Sequence, residues 1–186
     1  DYSSLGDWYF NKKKLPRGVA GIANKINKLG LDFGIWVEPE MINKDSDLYR
    51  AHPNWVIATP NLEPSLGRNQ LILDLTNPEV ITYLKTSLEQ LFNSANITYV
   101  KWDMNRNFSD VYSNYLDIPS QGKFNHLYVL GLYEILEYLT TTFPDILFES
   151  CSSGGNRYDL GMLYYMPQTW TSDNTDSFER LLIQEG

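Results

Sequence analysis

The chain contains 186 residues, with 15 lysines and arginines against 23 aspartates and glutamates, which gives a formal charge of −8. This acidic excess would repel a polyanion, so the composition argues against a nucleic-acid partner. An apolar content of 42%, spread evenly along the chain, excludes a disordered protein and argues against a membrane span. The sequence therefore indicates a soluble globular protein, whose length is sufficient for one sizeable core because a domain of this size buries roughly 70% of its unfolded surface.

Cysteine and histidine are too scarce for a zinc site of the usual kind. Cys151 is the only cysteine, so no disulfide can form within the chain, and only His52 and His126 accompany it. We therefore expect no metal or other cofactor, structural roles for both histidines, and a reducing, cytoplasmic location. The sequence begins at Asp1 without a basic-then-apolar leader and ends within a predicted helix, so we expect a piece of a longer chain.

Helices and strands alternate along the chain. Apolar residues at helical spacing predict a first helix over residues 17–29. Residues 38–69 contain several prolines and one glycine and are predicted to be irregular, with one short helix at 45–51. The remaining predicted helices span residues 78–92, 124–142 and 175–184. Short apolar runs predict strands over residues 31–37, 71–75, 97–103, 146–151 and 168–172.

This alternation predicts a parallel sheet with right-handed crossover connections. Two α/β folds share the pattern, an open doubly wound sheet and a (β/α)8 barrel, of which the barrel normally needs about 250 residues. Because both ends look truncated, we favour a partial (β/α)8 TIM barrel of about five βα units with parallel strands. On this interpretation residues 1–186 are the central part of a TIM-barrel catalytic domain, truncated at both ends.

Polar side chains gather where each predicted strand ends. The carboxyl ends of parallel strands meet at one face, and α/β enzymes carry their active sites there. For any single residue, Asp74 for example, the ordinary polarity of loops is a sufficient explanation. Five strands in succession favour a shared site. The side chains concerned are Trp36, Glu38, Asp74, Asp103, Glu149, Cys151 and Asp173.

The sharpest local signal lies at residues 99–106. Alternation along a strand places Lys101, Asp103 and, if the strand continues, Asn105 on one face, opposite apolar neighbours that would pack on helices. A neighbouring ammonium favours the ionised carboxylate, so Asp103 is a candidate nucleophile. The alternative is a structural ion pair between Lys101 and Asp103.

A second carboxylate, Asp173, follows the last predicted strand, whereas Thr175 or Asp176 is suited to cap the helix after it. Glycosidic bond cleavage requires one ionised carboxylate and one carboxyl group that carries a proton. Trp36 and Trp170 offer flat faces for sugar rings, and packing in the core is the alternative explanation for each. The pattern favours a glycosidase.

A glycine-rich segment at residues 151–157 supports a rival interpretation, since a turn of this kind after a strand can bind phosphate. It lacks both the Gly-Lys-Ser/Thr ending and the Gly-x-Gly-x-x-Gly spacing, so a nucleotide-dependent α/β enzyme is the weaker alternative. Glycines here would also let the backbone approach a ligand closely. A catalytically incomplete sugar-binding fragment is the other alternative, although both Asp103 and Asp173 are present.

Four segments resemble the glycoside hydrolase family 36 α-galactosidases, and they span nearly the whole chain in order. They are Gly34-Ile35-Trp36-Val37-Glu38-Pro39-Glu40-Met41, Lys101-Trp102-Asp103-Met104-Asn105-Arg106, Cys151-Ser152-Ser153-Gly154-Gly155 and Trp170-Thr171-Ser172-Asp173-Asn174-Thr175-Asp176. The resemblance implies a (β/α)8 catalytic domain that removes terminal α-1,6-linked galactose from melibiose, raffinose and related oligosaccharides with retention of configuration. We expect the full-length protein to be a homo-oligomer.

The resemblance also implies roles for individual residues. Asp103 resembles the family nucleophile, and Asp173 resembles the acid/base. The residues that resemble the lining of the galactose pocket are Trp36, Arg68, Lys101, Asn105, Cys151 and Gly154. The family also carries an Asp-Asp-Gly-Trp-Phe segment whose acids bind galactose hydroxyls. This sequence starts after that segment, so we expect residues 1–186 alone to be inactive.

Overall fold

The computed structural model describes residues 2–185, whose strands and helices alternate for most of their length. The strands are β1 (Gly34–Val37), β2 (Met41–Ile42), β3 (Leu71–Ile72), β4 (Tyr99–Trp102), β5 (Leu147–Ser150) and β6 (Gln168–Thr169). The α-helices are α1 (Gly18–Asn27), α2 (Asp47–Ala51), α3 (Pro78–Asn93), α4 (Phe124–Thr142), α5 (Leu160–Tyr165) and α6 (Ser177–Glu185). Every predicted helix is present, and α5 is a short helix that the sequence analysis missed.

The main sheet is parallel, with the strand order β1-β4-β5-β6. Its register aligns Trp36 with Lys101 and Lys101 with Glu149, so these side chains form a row on one face. The intervening residues Val100 and Trp102 are fully buried on the other face, as the alternation predicted. The predicted α/β class with parallel strands is therefore confirmed, and the sheet brings the carboxyl ends of four strands to one level.

The apolar run at residues 71–75 does not join the parallel sheet, so that part of the prediction is wrong. Its first two residues form β3, which pairs antiparallel with β2 in a separate two-stranded sheet. Leu73 and Leu75 are fully buried although they lie outside β3, because they pack in the core. A short apolar run indicates that a segment is buried, but it does not indicate whether the strand pairs parallel or antiparallel. Residues 2–185 therefore contain four parallel strands where five were expected.

Two long helices, α3 and α4, pack against each other, and Phe92 of α3 contacts Phe148 of β5. Asn77 caps α3 by accepting a hydrogen bond from the Glu79 amide at 2.9 Å, and Pro78 occupies the first turn. In α4, a side chain at Gly131 would place its Cβ 2.0 Å from the Leu75 carbonyl oxygen, so this close approach requires glycine. Within residues 2–185, no helix combines the length and the apolar character needed to cross a membrane.

Candidate active site

Asp103 lies one residue beyond β4, with its carboxylate enclosed by hydrogen-bond donors. Its amide donates to the Val37 carbonyl at 2.8 Å, which extends the parallel hydrogen-bond ladder by one residue. Oδ2 accepts from Trp36 Nε1 at 3.0 Å and from Asn105 Nδ2 at 2.8 Å, while Oδ1 accepts from the Met104 amide at 2.9 Å. With only 7% of the residue exposed, these donors fix the carboxylate in place.

Opposing effects act on the pKa of Asp103. Burial raises the pKa, whereas hydrogen bonds from Trp36, Asn105 and the Met104 amide, together with the nearby Cys151 thiol, lower it. The net result is a pKa below the usual aspartate value. Asp103 is therefore ionised at neutral pH. An ionised carboxylate at the end of a strand is the state that a nucleophile requires.

Lys101 faces a different carboxylate from the one expected. The register places it beside Glu149, and its Nζ lies 3.9 Å from Glu149 Oε1. In the described part of the chain no ion pair joins Lys101 to Asp103. The hydrogen-bond donors around the Asp103 carboxylate, and not Lys101, therefore keep it ionised. Lys101 Nζ also lies 4.2 Å from the centroid of the Trp170 ring.

Asp173 is exposed on the loop after β6 and is held by the neighbouring indole. Trp170 Nε1 donates to Asp173 Oδ1 at 2.7 Å. Asp176 has the alternative role considered for it, since its Oδ1 accepts from the Phe178 and Glu179 amides at 3.0 and 3.1 Å and caps α6. Asp173 is therefore the carboxylate of this loop that stays available for chemistry.

Cys151 continues β5 towards the site. Its amide donates to the Trp102 carbonyl at 2.8 Å, and its thiol lies close to the Asp103 carboxylate. Burial, together with that carboxylate, raises the pKa of the thiol to about 11. The Cys151 thiol is therefore neutral at neutral pH and is unsuited to act as a nucleophile itself.

The glycine-rich loop packs on the segment after β6. Gly154 has a φ of +98°, and a Cβ at this position would lie 3.0 Å from the Thr171 carbonyl oxygen. The glycine is therefore required for the approach of two chain segments, in addition to any approach to a ligand. Next to it, Ser153 donates through Oγ to Asn105 Oδ1 at 2.8 Å. Asn105 lies beyond the end of β4, yet its side chain still reaches Asp103.

Arg68 is exposed and lies on a loop with unusual backbone geometry. Arg68 and Asn69 have φ values of 52° and 61°, a left-handed conformation that costs energy for residues other than glycine. Arg106 holds this loop through hydrogen bonds to the carbonyls of Ser65 and Gln70. Arg68 and Asn105 both line a cleft of about 870 Å³. The structure therefore brings Arg68 to the same cleft as Asn105, whereas Asp103 and Asp173 are not among the residues that line this cleft.

Two buried glutamates were not assigned roles from the sequence. Glu38, only 2% exposed, accepts from the Asn105 amide and Asn105 Nδ2 through Oε1, both at 2.9 Å, and from Gln70 Nε2 through Oε2 at 2.9 Å. Burial raises its pKa, and the hydrogen bonds from Asn105 oppose that shift. Its place immediately after β1 had put it among the strand-end residues expected to share a site, but nothing in the sequence indicated its hydrogen-bond partners.

Glu40 is fully buried and joins distant parts of the chain. Oε1 accepts from Trp102 Nε1 at 3.0 Å and from Arg157 Nη1 at 2.8 Å, and Oε2 accepts from Tyr128 at 2.9 Å. Arg157 also donates to Ser152 Oγ at 2.7 Å, which ties the glycine-rich loop to the core. No local sequence signal connects residues 40 and 157.

Other candidates are structural. Asp74 is buried and accepts from the Thr76 hydroxyl at 2.6 Å and from Ser113, so it stabilises a loop. His52 stacks on Trp55 with ring centroids 3.9 Å apart. Across residues 2–185, no group of three His, Cys, Asp or Glu side chains is arranged to bind a metal ion.

The parallel α/β sheet thus carries an ionised, hydrogen-bonded carboxylate at one strand end and an exposed carboxylate beside a tryptophan at another. Two carboxyl groups in different environments are the groups that glycosidases use. Comparison with known proteins identifies the family to which the chain belongs. The family model described as Melibiase matches residues 1–186, and the chain belongs to this family. The resemblance to the glycoside hydrolase family 36 enzymes is thereby confirmed.

The curated relatives are α-galactosidases. The chain is 54% identical to α-galactosidase AgaA of Geobacillus stearothermophilus over 186 residues, which is 100% of this chain and 26% of the relative. It is 53% identical to α-galactosidase 1 of Pediococcus pentosaceus, across 100% of this chain and 25% of that protein. The chain thus spans about a quarter of the length of these relatives.

Solved structures agree with this assignment. The crystal structure of the GH36 α-galactosidase AgaA superposes with a TM-score of 0.97 at 53% identity, covering 99% of this chain and 26% of that one. A variant of AgaA in complex with raffinose superposes with a TM-score of 0.96 at 53% identity, over 98% of this chain and 26% of that one.

Proposed function

We propose that this chain is the central part of the catalytic barrel of a retaining α-galactosidase, which hydrolyses terminal α-1,6-linked galactose from melibiose, raffinose and related oligosaccharides. The observation that carries the proposal is the Asp103 carboxylate, ionised and fixed by Trp36 and Asn105 at a strand end. AgaA variants in complex with raffinose and with stachyose support galactose-containing oligosaccharides as the substrate class.

In the first step Asp103 attacks the anomeric carbon of galactose, while Asp173 donates a proton to the glycosidic oxygen. The bond between C1 and that oxygen breaks, the leaving alcohol departs, and a galactosyl ester forms on Asp103 with inverted configuration. In the second step Asp173 removes a proton from water, the water oxygen attacks C1, and Asp103 leaves. Two inversions give net retention.

The remaining proposed residues bind the sugar. Trp36 is 42% exposed beside Asp103 and offers its indole to the galactose ring. Hydrogen-bond donors and acceptors for galactose hydroxyls come from the ammonium, amide, guanidinium, thiol and backbone groups of Lys101, Asn105, Arg68, Cys151 and Gly154. Because Trp36 and Asn105 also bind Asp103, sugar binding and the geometry of the nucleophile depend on the same side chains.

We also propose that the full-length protein is a homo-oligomer located in the cytoplasm, with neither nucleic acid nor membrane as a partner. The acidic charge of −8 supports the expected absence of a nucleic-acid partner, and the single cysteine supports a reducing compartment. Light scattering of the purified full-length protein and fractionation of the producing cells test its two parts.

The direct test is hydrolysis of melibiose and raffinose by the full-length protein, followed by proton NMR of the released galactose. We expect α-galactose to appear first and the β anomer only later by mutarotation. Asp103→Asn preserves the size of the side chain and removes the nucleophilic charge, so it serves as the inactive control. Initial release of β-galactose, or undiminished activity of the control, contradicts the proposed mechanism.

A further inference from the structure

The Asn105 side chain uses both of its N–H donors and one of the two lone pairs of its amide oxygen within the site. Nδ2 donates to Asp103 Oδ2 at 2.8 Å and to Glu38 Oε1 at 2.9 Å, and Oδ1 accepts from Ser153 Oγ at 2.8 Å. Turning the amide by 180° would aim its oxygen at two carboxylate oxygens. The amide orientation is therefore determined by its neighbours, and Glu38 is one of them.

Glu38 accepts two hydrogen bonds from Asn105. Its Oε1 accepts from the backbone amide of Asn105 as well as from Nδ2, both at 2.9 Å, so it fixes the backbone and the side chain together. Its other oxygen accepts from Gln70 Nε2 at 2.9 Å, and the residue is 2% exposed. A buried carboxylate with hydrogen bonds to both oxygens has little freedom to move. Glu38 therefore holds Asn105 in a fixed position.

We propose that Glu38 is a positioning residue that holds Asn105 with its Nδ2 directed at Asp103 Oδ2. Glu38 contacts Asp103 through Asn105 and is not itself assigned to the reacting atoms. The inference rests on the proposed function, because it assigns Asp103 the role of nucleophile. The Ser153 hydroxyl completes the arrangement from the glycine-rich loop.

The charge of Glu38 must be separated from its role as an acceptor, because a negative charge near Asp103 also affects the nucleophile. Glu38→Ala and Glu38→Gln both remove the charge, but only the Gln variant keeps an acceptor for Asn105. The unpaired Oε1 of Gln70 can turn towards the new amide group and accept from it. The other ionisable groups nearby, which are Cys151, the Lys101–Glu149 pair and the Arg157–Glu40 pair, are the same in both variants.

The experiment compares the two variants in the full-length protein across pH. We expect kcat/KM of Glu38→Ala to lie about 10–100-fold below that of Glu38→Gln, because a misdirected Asn105 disturbs the attacking geometry. Loss of the Asn105 hydrogen bond raises the pKa of Asp103, so the acidic limb of the profile lies at higher pH in the Ala variant than in the Gln variant. Repeating both in an Asn105→Ala background should abolish the difference.

Equal profiles for the two variants, or a difference that persists without Asn105, overturn the inference. If the unmodified protein is active and Asp103→Asn is not, such a result leaves the proposed function intact. A crystal structure of Glu38→Ala gives a readout independent of activity. We expect Asn105 Nδ2 to have moved away from Asp103, and an unchanged orientation contradicts the proposal even if the protein proves to have another activity.

Discussion

Lys101 Nζ lies 4.2 Å from the centroid of the Trp170 ring, so an ammonium on β4 rests on an indole that follows β6. The same indole donates through Nε1 to Asp173 Oδ1 at 2.7 Å. A cation over the ring is attracted by its negative face, while the carboxylate binds at its positive edge. One aromatic side chain therefore sets the distance between a proposed sugar-binding residue and the proposed acid/base.

Trp170→Phe in the full-length protein tests this link. Phe keeps a ring for Lys101 and removes the hydrogen bond to Asp173, so we expect loss of positioning for proton donation. Hydrolysis of melibiose should fall roughly 10-fold or more, and hydrolysis of an aryl α-galactoside with a good leaving group should fall less. Steady-state kinetics on the two substrates measure the ratio, and an equal fall on both would contradict the proposed link.

Asp103→Ala should remove nearly all turnover, because no carboxylate remains to attack the anomeric carbon. Azide enters the vacated space and should restore part of the activity on an activated α-galactoside. A single displacement inverts the configuration, so the product identified by NMR should be β-galactosyl azide. Formation of the α-azide would show that another group is the nucleophile.

Asp173→Ala should discriminate between substrates by their leaving groups. Melibiose needs protonation of its leaving oxygen, so we expect its hydrolysis to fall by about 10²-fold or more, and that of an activated aryl galactoside to fall much less. A crystal structure of the full-length protein should place the two carboxyl groups about 5–5.5 Å apart, as in retaining enzymes. A separation of roughly 6.5–9.5 Å would indicate inversion.

Cys151→Ala removes the neutral thiol beside the Asp103 carboxylate. Because that thiol lowers the pKa of Asp103, its loss should raise the pKa and move the acidic limb of kcat/KM to higher pH. In the unmodified protein the thiol pKa of about 11 predicts slow alkylation at pH 8 that accelerates towards pH 11. Peptide mass spectrometry after timed iodoacetamide treatment measures this rate, and rapid labelling at pH 8 would contradict the assignment.

Glu40→Ala should destabilise the protein strongly. It leaves Arg157, whose side chain is 18% exposed, without its carboxylate and removes the acceptor of Trp102 and Tyr128. We expect a loss of about 3–5 kcal/mol, seen as a lower midpoint in urea. Asp45→Ala is the matched control, because the Asp45 side chain is 71% exposed in its pair with Arg50 and its removal should leave the midpoint nearly unchanged. Equal shifts in the two variants would refute a special role for the buried pair.

The helices were predictable because their signals are local. The Asn77 cap, the proline after it and the apolar spacing of α3 lie within one segment, and the structure has that helix over Pro78–Asn93. The strand at residues 71–75 was misassigned to the parallel sheet because nothing within a five-residue apolar run encodes its partner. Pairing depends on the distant segment Met41–Ile42, which a single sequence does not connect to it.

The site was predictable to the extent that strand alternation determines it. Alternation brought Lys101 and Asp103 to one face, but the neighbouring strand decides which carboxylate Lys101 meets, and the register supplies Glu149. The roles of Glu38 and Glu40 were not predicted from the sequence for the same reason. Their partners lie 67 and 117 residues away, at Asn105 and Arg157, and only the folded chain brings them together.

Glu38 and Glu40 are separated only by Pro39, yet one carboxylate supports the proposed nucleophile and the other anchors the core. Proline restricts the backbone between them, so a shift of either glutamate is transmitted to the other. In directed evolution this tripeptide should therefore tolerate little change, since variants selected for a new substrate would lose thermal robustness along with the old activity. Libraries aimed at new specificity are better placed at the exposed residues next to Arg68, with Gln70 kept unchanged because its Nε2 donates to Glu38.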